Sequence, residues 1–201
     1  MNGIADTVGQ VDRVFIYILG VSLAFLVLIT VLMIVFAVRY RRSRNPEPSD
    51  IRGNWLLETA WTAIPTILAL SMFYFGWQSY LGLRNVPEDA IEIGVIGQQF
   101  SWVFFYPNEK VTENELVVPE GKPIKLNITS EDVNHSFSIP AFRIKMDAVP
   151  GMETYAWFYA DEIGHYSVMC AEYCGTGHSD MTGILRIVPE SEYQRWLSQD
   201  D

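Results

Sequence analysis

The segment Met169–Met181, MCAEYCGTGHSDM, holds both cysteines of a 201-residue chain, one of its three histidines and two of its seven methionines. Cys170 and Cys174 stand four positions apart, with His178 and Met181 close behind. Three readings compete for the pair. A disulfide closing so short a loop stabilises little by the chain-entropy argument, and it leaves His178 and Met181 without a role. Zinc takes thiolate and imidazole but has little use for a thioether. Copper accepts all three donor types, the soft sulfurs above all. A second imidazole is on offer from elsewhere, His135 in SEDVNHSFSIP, at the start of a predicted strand. A mononuclear blue-copper site uses one cysteine. Two thiolates can instead bridge two copper ions in a four-membered ring, each ion taking one imidazole and one weak axial ligand.

Around this segment the chain reads as short strands. Ala90–Pro107, AIEIGVIGQQFSWVFFYP, is rich in β-branched and aromatic residues and ends at a Pro-Asn turn. Further strands are expected at Glu115–Val118, Ile124–Thr129, Phe137–Ile139, Thr154–Tyr159, His165–Met169 and Thr182–Val188, separated by turn clusters such as PEGKP and VPGME. Strands at this spacing predict a β-sandwich or small barrel. A short helix, ESEYQRWLSQ, is expected after Pro189.

The first 84 residues differ in kind. Val14–Val38 and Thr59–Leu83 are both free of charged side chains, and each exceeds the roughly 20 apolar residues that a helix needs to cross a bilayer. A cleaved signal peptide has a basic start and a shorter apolar stretch. Here Asp6 and Asp12 precede the first Arg, so the first span is expected to be retained. Between the spans lie Arg39, Arg41, Arg42, Arg44 and Arg52 against Glu47 and Asp50. Short basic loops stay in the cytoplasm, which predicts that residues 85–201 lie outside it. That outer segment carries 19 acidic and 7 basic residues, more than the whole chain's net charge of −10. Such a charge excludes a nucleic-acid partner; it suits solubility or the steering of a cationic partner.

The pattern His135…Cys170-x-Glu172-x-Cys174-x3-His178-x2-Met181, behind two amino-terminal spans, resembles subunit II of the haem-copper cytochrome c oxidases. The resemblance covers essentially the whole chain. It implies a membrane-anchored all-β protein: a two-helix transmembrane hairpin over 1–84, then a cupredoxin-like β-sandwich or barrel over 85–201 closed by a short helix. It implies a binuclear copper (CuA) centre, with Cys170 and Cys174 as bridging thiolates and His135 and His178 as the imidazole ligands. Met181 would be one axial ligand and the carbonyl of Glu172 the other. The Glu172 carboxylate would share a magnesium or manganese ion with subunit I, a hard cation suited to oxygen. Glu58 falls at a position that opens a proton path into subunit I, although an acid in a first helical turn is favourable for electrostatic reasons alone. The implied partners are subunit I with its haems, other subunits of the complex, a cytochrome c-type donor and the lipid bilayer. The implied location is a bacterial plasma membrane rather than a mitochondrial inner membrane, with the outer domain on the periplasmic side. The CuA subunit of a nitric oxide reductase is the alternative. His165 lies outside the pattern and reads as an ordinary strand residue.

One departure stands out. The family has an aromatic run of the type Gly-His-Gln-Trp-Tyr-Trp, whose first Trp takes the electron from cytochrome c. This chain reads Gly97-Gln98-Gln99-Phe100-Ser101-Trp102. Phe100 replaces that Trp. With Phe100 and Trp102 two positions apart on one expected strand face, Trp102, with Tyr106, becomes the expected electron entrance at a docking surface. No C-x-x-C-H motif for haem attachment occurs, so the donor is expected to be a separate protein.

Overall fold

The computed structural model describes residues 7–47 and 52–199; Asp6 and Asp50, both used above, lie outside the described residues. Contacts divide the chain into a helical unit, Gly9–Tyr80, and a second unit built mainly from Leu81–Asp201.

In the helical unit, α1 spans Thr7–Arg39 and α2 starts at Trp55 and runs on to Arg84. The two expected spans fall inside them. Asn54 caps α2, its Oδ1 accepting the Leu56 and Leu57 N–H groups at 3.1 and 3.3 Å. Pro65 sits within α2 without ending it, as is common in membrane helices. Tyr17 and Ser71 share a hydroxyl hydrogen bond of 2.6 Å, and the Tyr17 ring meets Phe75 edge-on. No residue of α2 is buried, and the large apolar side chains of both helices point outward. In water that surface would be untenable; against acyl chains it is the expected one.

The second unit is a sandwich of two five-stranded sheets. Its strands are β1 (Ile91–Gln98), β2 (Ser101–Phe105), β3 (Val111–Glu113), β4 (Glu115–Pro119), β5 (Lys122–Ser130), β6 (His135–Ile139), β7 (Ile144–Ala148), β8 (Thr154–Ala160), β9 (Gly164–Cys170) and β10 (Thr182–Val188), followed by α3 (Glu190–Leu197). One sheet runs β3-β2-β1-β5-β8 and the other β4-β10-β9-β6-β7. Alternate residues such as Ile93 and Val95 of β1 and Ile124, Leu126 and Ile128 of β5 join Phe137, Ile139, Val168 and Leu185 from the facing sheet in one core. Each large apolar side chain fully buried there contributes roughly 1.5–3 kcal/mol. Trp102 and Phe137 meet edge-on across the sandwich at 5.0 Å. The strand β4 lies at a sheet edge, and the Tyr106 hydroxyl occupies its open side. It donates to the Val117 carbonyl at 3.1 Å and accepts the Val117 N–H at 2.7 Å.

The structure amends the expected strand list. Ala90–Pro107 is an antiparallel hairpin, not one strand: Gln98 pairs with Ser101, and the chain turns at Gln99–Phe100. That turn carries neither Gly nor Pro, so nothing in its composition marks it. β3 and β7 are additional; β7, IKMDA, alternates apolar and charged residues because Ile144 and Ala148 turn to the core while Lys145 and Asp147 face solvent.

The expected exposure of Trp102 at a docking surface is corrected as well. Trp102 is 0% exposed and Tyr106 4%. Both point into the sandwich, because the Gln99–Phe100 turn precedes β2 and sends Trp102 and Phe104 to the core side. Phe100 lies in the turn itself and is only partly buried. A docking donor cannot touch Trp102.

Candidate metal centre

Strand pairing explains why residues 35 positions apart meet. β6 and β9 are neighbours, with Phe137 opposite Cys170, so His135 at the start of β6 lies beside the end of β9. Ala171 N–H continues the ladder to the Ser136 carbonyl at 2.8 Å. From there the chain loops out and returns at Met181, whose carbonyl accepts the Cys170 N–H at 3.1 Å. The segment Ala171–Met181 is thus the connection of the β9–β10 hairpin, closed at its base by that bond. Within it His178 begins a short 3-10 turn, its N–H bonded to the Gly175 carbonyl.

The five side chains that the pattern singles out converge. Cys170 Sγ and Cys174 Sγ are 3.9 Å apart. His135 Nδ1 lies 3.9 Å from Cys170 Sγ, and His178 Nδ1 lies 3.7 Å from Cys174 Sγ. Met181 Sδ is 3.8 Å from Cys174 Sγ, and the Glu172 carbonyl accepts the Cys170 thiol at 3.2 Å. His135, Cys170, Cys174 and Met181 are buried, His178 is partly so, and the Glu172 side chain is exposed. Both thiols are free; a disulfide would need its sulfurs about 2 Å apart. Burial, with Cys170 alongside, pushes the Cys174 thiol up to about 11, so without a cation that thiol stays protonated at neutral pH. A metal ion is what would make a thiolate of it.

His135 is held from behind. Its Nε2 lies 2.8 Å from Asp132 Oδ1. Burial works to raise the Asp132 carboxyl, but hydrogen bonds from His135 and from the Val133 and Gln99 N–H groups outweigh it and keep the group below the usual carboxylate range. The ring is also confined: a Cβ on Gly97 would come within 3.0 Å of both His135 Cδ2 and Trp102 Cζ3. Phe100 covers the opposite loop, where a Cβ on Gly177 would meet Phe100 Cδ2 at 2.5 Å. Neither Asp132 nor Gln99 stood out in the sequence, although an acid three residues before a ligand-type histidine is a signal of the right kind. His165 is exposed on β9 and takes no part.

The chain matches two family descriptions, the transmembrane domain of cytochrome c oxidase subunit II over residues 4–77 and its periplasmic domain over 108–188. Cytochrome c oxidase subunit 2 of Thermostichus vulcanus is 30% identical over 94% of this chain and 75% of its own. The chain belongs to the cytochrome c oxidase subunit II family. Subunit 2 of Cereibacter sphaeroides is 28% identical over 91% of this chain and 73% of its own. The solved periplasmic domain of subunit II (CoxB) of Bradyrhizobium japonicum superposes with a TM-score of 0.55 at 32% identity, covering 56% of this chain and 94% of that one. Membership makes the chain a membrane-anchored subunit of a haem-copper oxidase complex, an oxidoreductase, and does not favour the nitric oxide reductase alternative. Together, the family and the cluster of His135, Cys170 and Cys174, whose donor atoms all lie within 4.8 Å of one another, point to copper binding.

Proposed function

We propose that the outer domain is the electron intake of the oxidase, holding a binuclear CuA centre between Cys170, Cys174, His135 and His178. The observation that carries this reading is the pairing of donors: each sulfur has its own imidazole, and the two sulfurs face each other. Four ligands around a single tetrahedral ion lie no more than about 3.8 Å apart at ordinary metal–sulfur bond lengths. His178 falls outside the group whose donors all lie within 4.8 Å, which favours two ions over one. Met181, 3.8 Å from Cys174 Sγ, and the Glu172 carbonyl, 3.2 Å from Cys170 Sγ, would supply the further weak donors.

A dicopper centre held here would supply a one-electron relay with little change in bond length between its two redox states. The protein contributes the rest. The strand ladder fixes His135 and Cys170, Phe100 and Trp102 exclude water, and the hairpin loop brings Cys174, His178 and Met181 to meet them. Electrons would come from a cytochrome c-type donor and leave for haem in subunit I, serving O2 reduction coupled to proton translocation. The exposed Glu172 carboxylate is free to share a magnesium or manganese ion with subunit I. Glu58, in the exposed first turn of α2, is the proposed proton uptake group. The basic loop between the spans supports a bacterial plasma-membrane location with the outer domain in the periplasm.

The test is the full chain in detergent, loaded with copper. Two copper ions per chain and an EPR spectrum of one electron shared over two copper nuclei are expected. One copper ion with an ordinary four-line spectrum would refute the binuclear reading.

A further inference from the structure

We propose that Asp132 is a positioning residue that fastens the Gln99–Phe100 turn and the His135 imidazole to one carboxylate, so that a surface turn and a buried ligand hold a single geometry. The role rests on His135 being a copper ligand, as proposed above. It starts from proton bookkeeping. A carboxylate only accepts hydrogen bonds, so at 2.8 Å from Asp132 Oδ1 the His135 Nε2 must carry the proton. That leaves the Nδ1 lone pair on the side of Cys170. Without Asp132 the imidazole could hold its proton on either nitrogen, and one of the two tautomers cannot bind metal through Nδ1.

The other oxygen works outward. Asp132 Oδ2 accepts the Gln99 N–H at 2.8 Å, while Oδ1 also accepts the Val133 N–H at 2.6 Å. Asp132 is itself anchored, its N–H donating to Ser130 Oγ at 3.3 Å, and that hydroxyl donates to the Val133 carbonyl. The Gln99 side-chain amide donates to the Cys174 carbonyl. Gln99 therefore joins the carboxylate behind one ligand to the loop carrying another. Phe100 is the aromatic residue that this turn offers to solvent, and its ring lies over Gly175 and Gly177. A donor that presses on Phe100 would touch an element two hydrogen bonds removed from His135. Charge-assisted bonds are roughly twice as strong as neutral ones, and a carboxylate behind a ligand histidine raises its basicity. Asp132 should accordingly favour the oxidised centre.

The test uses the full chain in detergent, metal-free and copper-loaded, with the variants D132A and D132N. In the metal-free D132A chain, the Gln99 amide should exchange about tenfold faster or more. The Trp102 amide, which donates to Asn114 Oδ1 at 2.9 Å, should exchange as before. Nitrogen NMR should show His135 as a single tautomer in the parent and a mixture in D132A. In the copper-loaded D132A chain, the reduction potential should rise. D132N covers the case in which D132A fails to fold. It keeps one acceptor but turns an N–H toward one of two donors, so either the Gln99 amide or the His135 tautomer must still respond. Parent-like exchange, tautomer and potential in the variants would overturn the proposal. The metal-free readouts stand whether or not two copper ions bind, so a failure of the binuclear reading is told apart from a failure of this one.

Discussion

The two sides of the candidate metal centre are built differently. His135 and Cys170 end strands of one sheet, are buried, and are held by ladder bonds and by Asp132. Cys174, His178 and Met181 ride on the β9–β10 loop. Of these, His178 is partly exposed, its ring touched by the exposed Tyr173 at 5.9 Å. The strand side owes its geometry to folding, which has to happen in any case. The loop side depends on a few turn bonds, on Phe100 and on whatever ion draws the donors together. A centre assembled this way has His135 and Cys170 in place before metal arrives, and the loop that carries the other donors can still open to admit it.

The sharpest way to break the comparison is to remove a bridge. Cys170→Ser and Cys174→Ser should both abolish the shared-electron EPR signal, since a hydroxyl is a poor bridge for soft copper; a surviving two-copper signal in either would defeat the bridging assignment. The next effect separates the two sides by stability. His135→Ala hollows a packed site and strands Asp132, and should cost the metal-free protein about 2–4 kcal/mol. His178→Ala, at a partly exposed loop position, should cost under about 1 kcal/mol. Denaturant titration followed by tryptophan fluorescence measures both, and equal losses would erase the distinction. Gly177→Ala should cost about 1–3 kcal/mol through overpacking against Phe100, and Phe100→Leu should recover part of it in a double-mutant cycle. Strict additivity would mean that Phe100 does not brace the loop. The smallest change is Met181→Leu, a near volume-conserving swap costing under about 1.5 kcal/mol. It should retain both copper ions and shift only the potential, because the axial bond is weak. Loss of copper as complete as in either cysteine variant would show Met181 to be a principal ligand.

Legibility in the sequence followed the chemistry of each part. The spans were plain because a bilayer demands long stretches without charge, and α1 and α2 contain both. The converging donors were plain because their spacing along the hairpin loop matches a family pattern residue by residue. The turn at Gln99–Phe100 was hidden, since it lacks Gly and Pro and sits between runs of equal β character. That one omission misplaced Trp102: read as a single strand, Ala90–Pro107 gives no reason to send its indole inward. Asp132 was hidden for another reason. Its spacing of three from His135 is a weak signal, shared by any acid near a histidine, and its other partner, Gln99, is 33 residues away.

The phenol of Tyr106 carries a consequence for solubility. An edge strand with a bare row of N–H and C=O groups invites pairing with another chain, and on β4 this hydroxyl satisfies both main-chain groups of Val117. A single side chain stands in for a missing neighbour strand. Burial raises the Tyr106 hydroxyl well above the ordinary tyrosine value, so the plug is intact at neutral pH. Because the shift is upward, its contribution is complete below about pH 10 and fades as alkalinity climbs through the raised value. Tyr106→Phe should mimic that loss at pH 7, leaving two unpaired polar groups at a cost of about 1–3 kcal/mol. Light scattering should then report self-association of the variant at concentrations where the parent chain, in the same detergent, stays dispersed.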